Sequence, residues 1–156
     1  MRKRAFYYDI LPGGKEHALL MGLPAEVNIL REVKKRVQVK EVRLTEAGSR
    51  WIEAVISITK THNSDPMTVA LAAVFAHPSL KRVIVVDEDV NVDDYVEVQR
   101  AILTNAYPPL DYKILSGVKG SSLIHDNLRR FKVEGKEVTA ELPKVVLLID
   151  ATKKLK

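Results

Sequence analysis

The run Arg82-Val83-Ile84-Val85-Val86 is unbroken and mostly β-branched, and it halts at Asp87-Glu88-Asp89. A strand with no alternating polar residue has no face to show to water, so it must be buried on both sides. The flanking segments supply the cover. Asp65-Pro66 reads as an N-cap and a first-turn proline, opening a helix from Pro66 to about Ala76 that is apolar nearly all round; His77-Pro78 ends it. Asp93 is placed to cap a second helix, about Asp94 to Asn105, with Tyr95, Val98 and Ile102 on one face. Helix, buried strand, helix predicts an α/β sheet covered on both sides. Upstream, Val39 to Thr45 and Arg50 to Thr59 are β-rich stretches separated by Glu46-Ala47-Gly48-Ser49, which predicts a hairpin. Before them, Pro24 at a first helical position, followed by Val27, Leu30, Val33 and Val37, predicts an amphipathic helix over Pro24 to Arg36.

The remainder is less regular. Tyr107-Pro108-Pro109 predicts an extended turn, Tyr112 to Leu115 a strand, Ser116 to Ser122 a glycine- and serine-rich loop, and Leu123 to Phe131 a short helix. Pro143 to Lys154 suits either a strand or a terminal helix; Pro143 at its start and the spacing of Val145, Leu148, Ile149 and Leu155 favour the helix. At 156 residues the chain has the size of one domain, 1–156, with 1–18 read as a loosely ordered lead-in. It has no cysteine, which removes disulfides, thiolate nucleophiles and sulfur-based zinc sites and fits a reducing compartment. Met1-Arg2-Lys3-Arg4 has the charge of a signal-peptide start, but Tyr7, Tyr8 and Asp9 interrupt the stretch behind it, and no apolar run approaches the roughly 20 residues of a membrane span. A cytoplasmic protein is expected. The net charge of +5 is concentrated at the two ends and at Lys34-Lys35-Arg36, with no aromatic residues interleaved, so nucleic-acid binding is not expected. Abundant Lys, Glu, Arg and Val lean toward a thermophile's composition.

Asp87, Glu88, Asp89, Asp93 and Asp94 form the most suggestive local cluster. Carboxylates beyond the carboxyl end of a buried strand could hold Mg²⁺. The simpler reading, in which Asp93 caps a helix and the others are solvated beside its positive end, is preferred. Gly117-Val118-Lys119-Gly120-Ser121-Ser122 could offer amides and a Lys to a phosphate, yet it lacks the P-loop spacing and reads better as a connecting loop. His17, His62, His77 and His125 are scattered without metal-ligand spacing, and His125-Asp126 is a lone neighbour pair. Neither Ser121 nor Ser122 lies in a nucleophile elbow. From the residues alone, the chain is a binding domain or a part of something larger.

The stretch from Arg82 to Tyr95, continuing through Glu97-Val98, Ala101-Ile102 and Thr104, resembles the UbiD-type decarboxylases, which include 3-polyprenyl-4-hydroxybenzoate decarboxylase. In that family a buried strand ends in a "V-D-D-D-V-D" style loop before a helix reading like "E-V-x-W-A-x-x-T-R". Leu20 to Glu26, the strands Val39 to Leu44 and Ala54 to Lys60, Gly120-Ser121-Ser122-Leu123, and Pro143 to Val146 with Ile149-Asp150 are similar to further segments, the last to a closing helix. The resemblance runs from about Leu19 to the end and covers the family's carboxy-terminal domain only. Arg100 stands where the family has its helix tryptophan, Asn105 where it has arginine, and Ile124 where it has the aspartate of "G-S-S-L-D".

The resemblance implies a three-layer α/β fold, with a mixed central sheet and helices on both faces. It also implies that prenylated FMN, manganese and the catalytic carboxylates belong to a preceding domain, which is expected on a partner chain. No catalytic residue and no metal ligand is assigned to this chain. Gly120, Ser121, Ser122, His125 and Asp126 are the candidates for the substrate side of a shared pocket, and Asp87, Asp89 and Asp93 are taken as structural. The expected function is the small, non-cofactor-binding subunit of a split prenylated-FMN-dependent decarboxylase. The alternative is a binding or scaffold protein that kept the fold and lost the reaction. Apolar residues in Pro66 to Ala76 and Val145 to Leu155 exceed what one interior needs, so a homo-oligomer, most simply a dimer, is expected.

Overall fold

The structure is a computed structural model that describes residues 15–121 and 128–155. Its centre is a five-stranded sheet in the order β1-β2-β3-β7-β4, and strand β3 (Arg82–Asp87) occupies the middle. β1 (Val39–Leu44) and β2 (Glu53–Ile58) form the expected antiparallel hairpin. β2, β3 and β7 (Lys144–Asp150) run parallel, while β4 (Tyr112–Val118) lies antiparallel at the far edge. The alternation of β3 divides two cores. Val83 and Val85 join the core beneath helices α1 (Lys15–Lys34) and α2 (Asp65–Ala76), where Ile29, Val33, Val69 and Ala73 are fully enclosed. Ile84 and Val86 face the opposite core, closed by Val98, Ala101 and Ile102 of helix α3 (Tyr95–Asn105) and by Val92. The three layers expected for the sheet are present.

One feature of the topology controls where charges fall. Tyr95, at the start of α3, touches Arg82, the first residue of β3, whereas Asn105 at its end touches Ala151, just past β7. Helix α3 therefore runs in the same direction as β3. The intervening acidic loop must descend the sheet face before the helix begins, and Val92 is the buried residue that pins it there.

Several local expectations are corrected. The first helix spans Lys15–Lys34, so Pro24 sits inside it rather than at its start. The proline removes one helical hydrogen bond, a loss tolerated in a stretch whose Leu20, Leu23 and Val27 are exposed. The cap of α2 is Ser64, and the Asp65 carboxylate instead accepts from the amides of Thr61 and His62, both at 2.8 Å. Burial alone would raise the Asp65 pKa, but these bonds hold it below the ordinary carboxylate range. The cap of α3 is Asp94, not Asp93: its carboxylate accepts from the amides of Val96 (3.0 Å) and Glu97 (3.2 Å).

Pro108 and Pro109 open a short helical turn, α4 (Pro108–Asp111), as prolines can because first-turn N–H groups have no acceptor within the helix. Leu128 to Phe131 belong to a strand, not a helix. They lie in β5 (Leu128–Val133), which pairs with β6 (Lys136–Glu141) across Glu134-Gly135, both at positive φ. Gly135 is the residue that signals such a tight turn. The segment after Pro143 is likewise the strand β7, so the closing helix implied by the resemblance is absent. It fills the slot between β3 and β4, and pairing on both sides overrides its helical spacing.

The cap assignment is testable by urea denaturation. Asp94→Ala is expected to lower stability by about 1 kcal/mol, the usual loss for an N-cap carboxylate. Asp93→Ala should lower it by less than about half of that, since it removes an exposed ion pair. Equal losses, or a larger loss at Asp93, would reverse the assignment.

Candidate functional site

In an open α/β sheet, ligands usually sit beyond the carboxyl ends of the parallel strands. Here that edge is closed by the chain's own terminal segment. Asp87, at the end of β3, accepts from the Lys153 amide (2.7 Å), and Asp89 pairs with the Lys153 ammonium (2.5 Å). Lys153 holds the Asp89 carboxyl below its ordinary pKa. Glu88 accepts from the Thr59 hydroxyl (2.5 Å). Lys60 donates to the Thr152 hydroxyl (2.8 Å) and the Lys153 carbonyl (2.5 Å). Lys154 bridges Asp111 and Asp150, at 2.8 Å each. Asn105 donates to the Ala151 carbonyl (3.1 Å), which ties α3 to the same segment, while Arg100 is exposed. The polar groups at this edge answer one another.

The descending loop carries Asp93 away from Asp87 and Asp89, so the acidic cluster read from the sequence is split. Asp93 takes Arg43 through two bonds (2.6 and 3.2 Å), and the same guanidinium reaches Glu41 (2.7 Å) and Glu26 (3.1 Å). The other Glu26 oxygen accepts from the buried Leu44 amide at 2.7 Å, along the edge strand β1. Burial lowers the Arg43 pKa, but the carboxylates outweigh it and hold the group charged. Beside this knot, buried Glu53 accepts from the Thr45 hydroxyl (2.6 Å) and pairs with Arg82, whose guanidinium also donates to the Tyr95 hydroxyl (2.9 Å).

Between the two networks lies a cleft of about 360 Å³ lined by Arg43, Thr45, Arg50, Val92, Asp93 and Tyr95. Its floor is the β1–β2 turn, where Ser49 and Arg50 both hold positive φ (54° and 52°). A side chain on Gly48 would collide with the Glu53 backbone, and one on Gly22 of α1 would press on the Arg50 carbonyl. The turn is therefore clamped from both sides.

Gly120 and Ser121 are half-buried just past β4. Because β4 is antiparallel to β7, its Val118 pairs with Lys144, the first residue of β7, so the two residues lie near the end of the sheet where Lys144 enters. Ser122, His125 and Asp126 lie outside the described residues. Lys144 is itself buried: its ammonium donates to the Pro78 carbonyl (2.8 Å), and burial pushes its pKa down to about 8. Burial also keeps His77 below its ordinary value, while its Nε2–H donates to the Trp51 carbonyl at 2.9 Å.

The sequence reading missed Arg43, Glu53, Arg82 and Lys144. Their shared signal was a charge set within or at the end of an apolar strand. These groups can orient a polar ligand.

The family described as 3-octaprenyl-4-hydroxybenzoate carboxy-lyase C-terminal domain matches residues 18–140. Anhydromevalonate phosphate decarboxylase of Methanothermobacter thermautotrophicus is 49% identical over 124 residues, which are 79% of this chain and 29% of that protein. Gallate decarboxylase of Lactiplantibacillus plantarum is 30% identical over 156 residues, covering 97% of this chain and 31% of that protein. The solved structure of the UbiD-class enzyme HmfF from Pelotomaculum thermopropionicum, in complex with FMN, superposes with a TM-score of 0.76 at 32% identity, over 90% of this chain and 29% of that one. The chain thus spans less than a third of the length of these relatives.

Among the described residues, the acidic-loop carboxylates do not form a divalent-metal cage. The acidic-loop carboxylates are engaged by Lys153, Arg43, Thr59 and backbone amides. Among the described residues no three His, Asp or Glu side chains converge on one point, and no described helix is long and apolar enough to cross a membrane.

Lys144 gives a pH test. Its folded pKa of about 8 lies below the ordinary 10.5, so between those values the unfolded chain holds more protons and stability rises with pH. Below about pH 8 the buried charge works against folding by roughly 3 kcal/mol. Lys144→Met should therefore raise stability at pH 7 by about 1–2 kcal/mol, with part of the gain lost because the Pro78 carbonyl loses its donor. The gain should shrink toward pH 10. A variant less stable than wild type at pH 7, or a gain constant with pH, would refute this account.

Proposed function

The chain belongs to the UbiD family, as its 3-octaprenyl-4-hydroxybenzoate carboxy-lyase C-terminal domain, and on that premise we propose that it is the small, non-cofactor-binding component of a split decarboxylase. A separate chain would carry prenylated FMN and manganese, which supply the bond-breaking chemistry; this domain would orient substrate and hold the assembly together. The observation that carries the reading is the 49% identity to a decarboxylase over 124 residues. The self-satisfied polar groups at the strand ends, none of them forming a cofactor cage, support it.

A surface for the larger chain is at hand. Ile114 and Val145 are diagonal neighbours on the α3 side of the sheet, 74% and 58% exposed, and Tyr107 and Leu110 stand exposed on the α4 turn that leads into β4. Water-facing apolar groups in such number mark an interaction surface. In this reading Gly120 and Ser121, with Ser122, His125 and Asp126, form the substrate side of the shared pocket, and the complex works in the cytoplasm. The higher identity to the anhydromevalonate phosphate enzyme than to the gallate enzyme favours a phosphorylated unsaturated acid as substrate. Two copies of the chain associate through the apolar surplus of α2.

Co-expression with a UbiD-type chain carrying the cofactor domain is expected to give co-elution and decarboxylation of anhydromevalonate phosphate in preference to gallate. The isolated chain should emerge colourless from desalting after incubation with prenylated FMN and Mn²⁺. His125→Ala should reduce turnover about tenfold or more, as loss of a polar substrate contact does, without disturbing co-elution. Failure to co-elute, or a stoichiometric flavin spectrum on the isolated chain, would end the split-enzyme reading.

A further inference from the structure

Strand β4 carries one residue too many for its pairing. Leu115 and Val118 both pack against the core beneath α1 and α2, yet an unbroken strand turns residues three apart to opposite faces. The register against β7 accounts for this. Ser116 lies opposite Val145 and Val118 opposite Lys144, so Gly117 is the extra residue of a bulge. Gly117 holds φ at +83°, which glycine adopts without steric cost, and among the described residues a Cβ there would meet nothing within 4 Å. The glycine thus serves the direction of the backbone, not close packing. It turns Val118 inward and sends the next residue, the exposed Lys119, out on the side of Ile114 and Ser116. Without the bulge Lys119 would share the face of Leu115.

The charge so placed differs from the others near the sheet. Tyr112 to Ile124 contains two Lys and no Asp or Glu, and the facing stretch Lys144 to Ile149 adds a third Lys and no acid. Arg43, Arg82, Lys153 and Lys154 each have a carboxylate partner; among the described residues Lys119 has none. It stands between Ile114 and Val145, on the surface proposed to meet the larger chain, and Gly120 and Ser121, proposed to line the pocket. We propose that Lys119 pairs with the phosphate of a phosphorylated unsaturated acid, and so sets the preference of the assembled decarboxylase for phosphorylated over unphosphorylated substrate. This rests on the split-decarboxylase reading and names the residue behind its substrate class. Docking of the larger chain would take the ammonium out of water, which is strongly unfavourable unless an anion arrives with it. The substrate brings two anions. A cation held on the carboxylate would stabilise the charge that decarboxylation removes, favouring the ground state over the transition state. The phosphate keeps its charge throughout, and a lysine ammonium suits it as a point charge. Gly117 is then a positioning residue, acting through Lys119.

Steady-state kinetics of the co-expressed complex test the assignment, with anhydromevalonate phosphate and the same acid lacking its phosphate as the two substrates. Lys119→Met should lower kcat/KM for the phosphorylated acid by about thirtyfold, mainly through a raised KM, as loss of a charged hydrogen bond to a bound ligand does. For the unphosphorylated acid the change should stay below about twofold. Lys119→Arg should recover part of the loss, because it keeps the charge. The Tm and co-elution of both variants should match wild type, since the side chain is exposed and has no acidic partner among the described residues. An unchanged preference in Lys119→Met overturns the proposal. An equal loss with both acids also overturns it, by assigning Lys119 to the carboxylate, and so does a loss of co-elution, which would make Lys119 a docking residue. In these three outcomes the wild-type complex still decarboxylates and the split-enzyme reading stands. A wild-type complex indifferent to the phosphate overturns the proposal without any variant. A wild-type mixture that never co-elutes, or never decarboxylates, ends both.

Discussion

Val83 and Val85 point into one core and Ile84 and Val86 into the other, and all four are enclosed. Each side chain so buried contributes on the order of 1.5–3 kcal/mol, and only if both layers of cover are in place. Two helices on one face and one on the other are thus a requirement of β3 itself. The same requirement sets the path of the acidic loop. Val92 completes the second core, so the loop must descend the sheet before α3 can begin, and the helix returns beside β3 in the same direction. That return leaves β4 to run antiparallel to β7 at the far edge of the sheet.

Charges near such a core must be answered, because an isolated ion out of water is strongly disfavoured. Glu53 and Arg82 hold neighbouring positions on β2 and β3 and neutralise each other, with Thr45 and Tyr95 as their further partners. Arg43 gathers three carboxylates, one of which also satisfies the Leu44 amide on the sheet's edge strand. That contact takes up a backbone donor which would otherwise invite another strand. Lys144 is the exception: among the described residues it has a backbone carbonyl and no counter-charge, and its proton is correspondingly loosely held.

The functional consequence lies in which edge is closed. The carboxyl ends of β2, β3 and β7, where a sheet of this kind commonly receives a ligand, are sewn together by Asp87, Asp89 and Asp150 with Lys153 and Lys154. Among the described residues, large apolar side chains stay exposed elsewhere, with Ile114, Val145 and the α4 turn on one side and Phe75 on the other. We propose that a domain built this way contributes surfaces and positioning. The bond-breaking chemistry is proposed to come from the chain that covers one of those surfaces.

The double burial of β3, the β1–β2 hairpin and helical cover on both faces were legible in the sequence because side-chain period is a local property of the chain. Local pattern could not decide Val145 to Ile149, which suits a helix by spacing and a strand by composition. Only the slot between β3 and β4 made it a strand. Nor could adjacency in sequence show that Asp93 parts from Asp87 and Asp89, or that Asp94 takes the cap, since both follow from where Val92 is buried. The same holds for Lys144. The sequence placed it at the start of an apolar run, but its lowered pKa arises from neighbours brought by distant segments, Pro78 among them. Period and composition travel with the chain; burial, register and charge pairing exist only once distant segments meet.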